Sequence, residues 1–288
     1  MSDPNLETLA SPGAGRGNAD VAVELAWKMA RLHGTPAYVY CATALEDRSR
    51  ELLGVLPKSA APRLLYSFKA NPLPSLTAEL RSAGCEADLT SPGELAAARA
   101  AGFDLSRALY GGPGKGVEEY DAAIAGGVRH FSIESRTDLR RLSSAAADRA
   151  CQVKVLLRIN PHAAPKAKLA MSGVASQFGF EEDELRSQGP EILREAGEQV
   201  DIVGFHLYWG TQIGEVDALL ASFEKTVEIA DELTTILGMD LQILNLGGGF
   251  AWPYAHAGAA ADLAALRDGL ERLHAGAGPS RQAQWWFE

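Results

Sequence analysis

Short apolar blocks alternate with longer amphipathic stretches along most of this chain. The blocks are Leu64–Phe68, Ala87–Thr90, Ala108–Tyr110, His130–Ile133, Val153–Ile159, Ile202–Tyr208, Leu241–Leu246 and Gln284–Phe287. Their length and apolar character read as strands. Helical spacing of apolar residues fills the intervals: Ser75–Ala83, Gly93–Ala101, Val117–Ala125, Arg136–Ala147, Glu181–Glu195, Val216–Leu237 and Ala259–His274. Strands separated by helix-length patterns predict a parallel sheet of the α/β class. Eight of them predict a (β/α)8 TIM barrel, with an open doubly wound sheet as the alternative.

The two ends break this rhythm. Residues 1–18 are rich in Gly, Ser, Pro and Asn and read as mobile. Ala19–Leu32 has helical spacing closed by His33-Gly34, Ala37–Tyr40 reads as a strand, and Ala44–Leu56 reads as an amphipathic helix. After the eighth strand only Glu288 follows, so no eighth helix is expected to cover it. Trp285, Trp286 and Phe287 are therefore expected to be poorly buried, in a chain that stops within a fold.

Composition narrows the functional classes. The 288 residues suit a single barrel, and 47% hydrophobic with 22% charged residues is ordinary globular usage. A net charge of −10 argues against nucleic acid or an anionic membrane as partner, while leaving room for a local basic pocket. The first residues carry no signal-peptide pattern, and no apolar run is long enough to span a membrane. Cys41, Cys85 and Cys151 are an odd, scattered set, which fits reduced thiols in a cytoplasmic protein. The six histidines form no ligand cluster, so no metal is expected.

Candidate chemistry gathers at the carboxyl ends of the predicted strands, where barrels place it. Lys69 ends the first strand; desolvated there, its amine could attack a carbonyl, although most lysines are simply solvated. Gly247-Gly248-Gly249 follows the seventh strand and reads either as a phosphate cradle or as a tight turn. His206 and Tyr208 share one side of the sixth strand, ahead of Thr211, so an aromatic face is available to a flat ring. A satisfied core histidine is the plainer reading of His206. Asp88 and Arg158 end the second and fifth strands. A charge inside an apolar strand needs a partner, so Arg158 is expected to face the barrel mouth and meet an anion or an acid. Lys115, after Gly111-Gly112-Pro113-Gly114, reads as a solvated loop lysine; Gly116 rules out a nucleotide-binding P-loop. Trp252 stands where a dinucleotide-binding glycine pattern needs its third glycine.

The order of these motifs is informative as a set. It runs through Thr35-Pro36 to Tyr40, Tyr66–Asn71, Ala87-Asp88 to Glu94-Leu95, Gly114-Lys115 and Arg158–Pro161. It continues with Gln177-Phe178-Gly179, Gly204–Gln212, Gly247–Gly249 and Phe287-Glu288. In that order the chain resembles the pyridoxal-phosphate-dependent decarboxylases built on an alanine-racemase-like barrel, the group of the diaminopimelate, ornithine and arginine enzymes. The resemblance implies an N-terminal segment over residues 1–34 and a pyridoxal 5'-phosphate-binding barrel over residues 35–288. It implies that Lys69 holds the cofactor covalently, that Gly247, Gly248, Gly249 and Thr211 hold its phosphate, and that Glu288 pairs with the pyridine nitrogen. Asp88 and Arg158 would shape the pocket near the ring or be purely structural.

Two departures qualify the implied substrate and activity. The diaminopimelate enzymes carry His-x-His-x-Gly-Ser in the sixth strand; here Tyr208 replaces the ring-stacking histidine and Thr211 the serine. The stretch Lys168–Gly173 is more similar to decarboxylases of specialised pathways, some acting on carrier-tethered amino acids. Family members also continue into a C-terminal β-domain that contributes to the partner subunit's site, and this chain lacks it. Decarboxylation by the chain alone is therefore expected to be weak or absent, with a homodimer or a separately encoded second domain as the implied partner. A non-catalytic cofactor-binding protein, a pseudoenzyme or fragment, and an amino-acid racemase are the alternatives.

Overall fold

The computed structural model describes residues 18–161, 169–170, 177–252 and 262–288. Eight parallel strands form the barrel: β1 (Arg63–Ser67), β2 (Glu86–Leu89), β3 (Leu109–Tyr110), β4 (His130–Ile133), β5 (Val153–Asn160), β6 (Val200–Leu207), β7 (Ile243–Asn245) and β8 (Gln284–Phe287). Each pairs with its neighbours in sequence, and β8 pairs with β1, which closes the sheet. The closed ring excludes the open doubly wound alternative. The helices are α1 (Asn18–His33), α2 (Ala42–Val55), α3 (Pro74–Ser82), α4 (Pro92–Ala100), α5 (Val117–Ala125), α6 (Arg136–Asp148), α7 (Glu182–Glu195), α8 (Val216–Leu237) and α9 (Leu263–His274). Several starts are written locally. Pro74 and Pro92 open α3 and α4, and the hydroxyls of Ser91 and Ser135 accept from Glu94 N and Asp138 N.

Side-chain alternation divides the core in two. Leu65, Leu109, Leu156, Val203, Ile243 and Trp286 form a separate buried cluster, one from each of six strands, and fill the barrel interior. Their sequence neighbours, such as Leu64, Leu244, Trp285 and Phe287, join the larger core under the helices. β6 contains a bulge: Ile202 pairs with Val155, but Gly204 pairs with Leu156, leaving Val203 as the extra residue. Gly204 lies so close to β7 that an added Cβ would sit 1.7 Å from Ile243 O. Beyond the bulge the alternation restarts, so Val203 and His206 both face inward.

Three expectations about the chain ends change. The place expected to lie open beside β8 is taken by α2, which precedes β1 and packs between α9 and α3. Trp285, Trp286 and Phe287 are consequently buried completely. Trp285 Nε1 donates to Ser280 O at 2.9 Å, and Trp286 points into the barrel beneath the Arg63 guanidinium, 4.8 Å from its ring centroid. Ala37–Tyr40 is not a strand; the barrel has no open edge to pair with it, and Tyr38 is 90% exposed. Residues 1–17, and the first residues of the helix predicted from Ala259, lie outside the described residues.

Candidate active site

Lys69 stands at the mouth of the barrel, just after β1. Ala70 N donates to Ser67 O at 3.1 Å, which makes a turn of residues 67–70. Phe68 anchors that turn by burying its ring against Phe103, at 5.3 Å between centroids. Asn71 stops the chain from straightening: its Oδ1 accepts from Leu73 N at 3.1 Å, and its carbonyl accepts from the Tyr66 hydroxyl at 3.2 Å. Lys69 is left exposed, with Nζ 6.0 Å from the Tyr208 ring centroid. The lysine expected to be desolvated at the strand end is instead exposed, on the turn that follows β1.

The glycine run lies flat across the neighbouring strand ends. A Cβ on Gly247 would fall 2.6 Å from Leu207 O, and one on Gly248 would fall 2.4 Å from Glu288 O. Gly247 also has φ +71, which glycine adopts without strain. Gly247 N donates to Asn245 Oδ1 at 2.8 Å. Among the described residues, the N–H groups of Gly248 and Gly249 meet no acceptor. Thr211 is exposed beside them, in a two-residue strand, Gly210–Thr211, that pairs antiparallel with Leu169–Ala170. Two bonds tie these loops together: Ile213 N to Gly249 O, and Trp252 N to Gln212 Oε1, both 2.9 Å.

Beneath the mouth, the inward positions at the strand ends form a polar layer. Ser67 Oγ donates to Asp88 Oδ2 at 2.7 Å. Ser132 Oγ lies 2.9 Å from His206 Nδ1, and His206 Nε2 lies 3.2 Å from Glu288 Oε1 without hydrogen-bond alignment. Asn245 Nδ2 donates to the same Glu288 oxygen at 2.8 Å. Arg158 does meet an acid, with Nη1 3.6 Å from Glu134 Oε1, and its guanidinium lies 5.1 Å from the Phe178 ring centroid. Gly179 brings that segment against β5; a Cβ there would fall 2.8 Å from Arg158 O.

Burial sets the charges of this layer. It pushes the Asp88 carboxyl up to about 7, and the nearby Glu288 charge adds to the effect. Burial also drives the His206 imidazole down to about 4, so the ring is neutral near pH 7. Glu288 is held below the usual carboxylate range: burial works to raise it, but the Arg158 charge, the Asn245 bond and the Lys69 charge favour its carboxylate. Of this layer's carboxylates, Glu288 is the one that also lines the cleft at the mouth.

A cleft of about 440 Å³ opens over this layer. It brings together Lys69, Tyr208, Thr211, Gly248, Gly249 and Glu288. Asp88, Arg158, His206 and Gly247 do not line it. Lys115 is not a solvated loop residue. It is 1% exposed, 2.8 Å from Asp138, and bonded to Ser132 O at 2.9 Å, because the loop after β3 folds it beneath the barrel rim. Sequence reasoning missed Ser67, Ser132, Glu134 and Asn245. Glu134 carried a usable signal, as an acid directly after an apolar strand; the other three are small polar residues that only the inward register reveals. Most of the Lys168–Gly173 stretch lies outside the described residues.

An amine, an aromatic face, a carboxylate and two N–H groups that meet no acceptor among the described residues, around one cleft, suit a flat, phosphorylated ring bearing a carbonyl. Comparisons with known proteins point the same way. The family model for the pyridoxal-dependent decarboxylase, pyridoxal binding domain, matches residues 44–277. Diaminopimelate decarboxylase of Aquifex aeolicus is 31% identical over 79% of this chain and 53% of its own. L-glutamyl-(BtrI acyl-carrier protein) decarboxylase of Niallia circulans is 31% identical over 76% of this chain and 51% of its own. The chain thus spans about half the length of these curated relatives. Among solved structures, AQ1208 from Aquifex aeolicus superposes with TM-score 0.75 at 28% identity, over 91% of this chain and 60% of that one. Diaminopimelate decarboxylase from M. jannaschii shares the fold, with TM-score 0.80 at 23% identity over 91% of this chain and 62% of that one. With its closed barrel and this match across most of its length, the chain belongs to the pyridoxal-dependent decarboxylase family.

Proposed function

We propose that this chain forms the pyridoxal phosphate site of an amino-acid decarboxylase. The observation that carries this reading is the convergence of Lys69, Tyr208, Gly248, Gly249 and Glu288 on one cleft. Lys69 would hold the cofactor through its side-chain amine at the cleft. When bound, the cofactor supplies an electron sink for the pair left behind as the substrate's α-carboxylate departs as carbon dioxide. Glu288, held by Asn245, would favour a proton on the ring nitrogen. Tyr208 offers its ring face, without the positive charge a histidine there could carry. The N–H groups of Gly248 and Gly249, with the Thr211 hydroxyl, bind the phosphate. Asp88, His206 and Arg158 would set the charge beneath the cleft without lining it.

The substrate is an α-amino acid. Diaminopimelate-like and carrier-tethered substrates are both supported by relatives of equal identity, and Tyr208 and Thr211 favour a specialised substrate over diaminopimelate. Borohydride reduction of protein incubated with pyridoxal phosphate, followed by peptide mapping, tests the site. A pyridoxyl adduct on the Lys69 peptide, absent from Lys69→Ala, is expected. Folded wild-type protein without the adduct would overturn the reading. Carbon dioxide release, screened over lysine, ornithine, diaminopimelate and acyl-carrier-linked amino acids, then separates a decarboxylase from a cofactor-binding protein.

A further inference from the structure

We propose that Ser132, on β4, is a positioning residue for Glu288: it fixes which ring nitrogen of His206 carries the proton, and so gives the carboxylate a second donor. This rests on the cofactor site proposed above and adds to it a residue that does not line the cleft.

The three groups stand in line beneath the barrel mouth. Ser132 is fully buried; its hydroxyl lies 2.9 Å from His206 Nδ1, and its carbonyl accepts from Lys115 Nζ at 2.9 Å. The bulge in β6 turns His206 inward, and its Nε2 lies 3.2 Å from Glu288 Oε1. Glu288 is itself fixed. Its N–H donates to Gly247 O at 2.9 Å, and Oε1 accepts from Asn245 Nδ2 at 2.8 Å. His206 Nε2 is buried and has no aligned hydrogen-bond partner among the described residues. His206 is neutral near pH 7, so its ring has one N–H to place.

The two placements differ in what they leave unpaired. With the proton on Nδ1, the ring donates to Ser132 Oγ, and the serine hydrogen then finds no acceptor among the described residues. The Nε2 lone pair would also face a carboxylate in a buried site, which costs free energy on both sides. With the proton on Nε2, the serine hydroxyl donates to Nδ1 and the ring N–H turns toward Glu288 Oε1. A hydrogen bond to a charged acceptor is stronger than one between neutral groups, so this placement wins. Oε1 is then held by Asn245 and His206 together. Oε2 meets no donor among the described residues and is left for the ring nitrogen of the cofactor. A neutral imidazole does this without a positive charge that would compete with that nitrogen for Glu288.

Heteronuclear NMR of cofactor-free protein labelled in its histidine rings reads the tautomer, and loss of signals in His206→Gln assigns them. Wild type is expected to carry the His206 proton on Nε2, with the Nδ1 resonance displaced by an accepted hydrogen bond. In Ser132→Ala the Nδ1 resonance should move to the position of a free ring nitrogen. Ser132→Cys keeps the shape but donates weakly, so it should follow the alanine variant rather than wild type. With bound pyridoxal phosphate labelled at its ring nitrogen, a pH titration should show the apparent pKa of that nitrogen lowered by roughly one unit in Ser132→Ala, the size of one hydrogen bond. A wild-type proton on Nδ1 would overturn the proposal. So would an unmoved Nδ1 resonance in Ser132→Ala, wild-type values in Ser132→Cys, or an unchanged ring-nitrogen pKa, and in each case the Lys69 site stands. Wild type that binds no pyridoxal phosphate would overturn the site and this role with it. The wild-type tautomer needs no variant, so it decides if Ser132→Ala fails to fold.

Discussion

Asp88 and His206 both shape the charge around Glu288, and they respond to pH with opposite sign. The folded pKa of Asp88, about 7, lies above its ordinary 3.8, so the folded state binds the proton more tightly than the unfolded chain. That contribution is complete below pH 3.8 and is lost as pH rises through about 7. Asp88→Asn cannot ionise and should gain stability relative to wild type between pH 5 and pH 8, by up to about 2.6 kcal/mol. Urea denaturation at both pH values checks this; a constant difference would remove Asp88 as the cause. His206 is depressed from 6.5 to about 4, so its contribution is present above pH 6.5 and is lost as pH falls through 4. His206→Gln should flatten the acid limb of the stability curve. Lys115 makes a separate case. Cutting its buried pair with Asp138 by Lys115→Met should cost about 3–5 kcal/mol, far more than a solvated lysine would. At this scale strand ends and a glycine run singled out Lys69, Tyr208, Gly248 and Gly249, the resemblance added Thr211 and Glu288, and all six line one cleft. The burial of Lys115 was not legible in the sequence, since nothing local distinguishes a folded-back loop from a solvated one.

Among the elements, β6 and β8 depend most on their neighbours. Gly204 permits the close approach of β6 to β7, and Gly204→Ala should be strongly destabilising or prevent folding, because the obstructing atom is backbone. Trp285→Ala should cost about 3–5 kcal/mol, since the ring is fully buried against α9, 4.9 Å from the His274 ring centroid. Trp27 on α1 is 64% exposed, and Trp27→Ala should stay within about 0.5 kcal/mol. Thermal melts of the three variants rank these effects, and a large loss at Trp27 would mean that α1 is buried in solution. Strand positions were readable because each barrel strand keeps its apolar run. The β6 bulge was not, because one inserted residue changes the register without changing the composition.

For the molecule as a whole, α2 packs between α9 and α3 and also lines the cleft. Ligand linkage tests whether barrel and cleft act together. Pyridoxal phosphate at 100 times its dissociation constant should stabilise the fold by about 2.7 kcal/mol, read as a rise in melting temperature that Lys69→Ala reduces. No rise at saturating ligand would mean that the folded chain does not bind it. By itself the sequence determined the alternation of strands and helices, the barrel and the order of motifs along it, since hydrophobic period and turn chemistry are local properties. The tertiary structure decided what covers β8, which side chains face inward past the bulge, and which charges meet. Those outcomes depend on closure of the sheet and on contacts between residues far apart in the chain, such as Asn245 with Glu288 and Ser132 with His206. No local pattern encodes them.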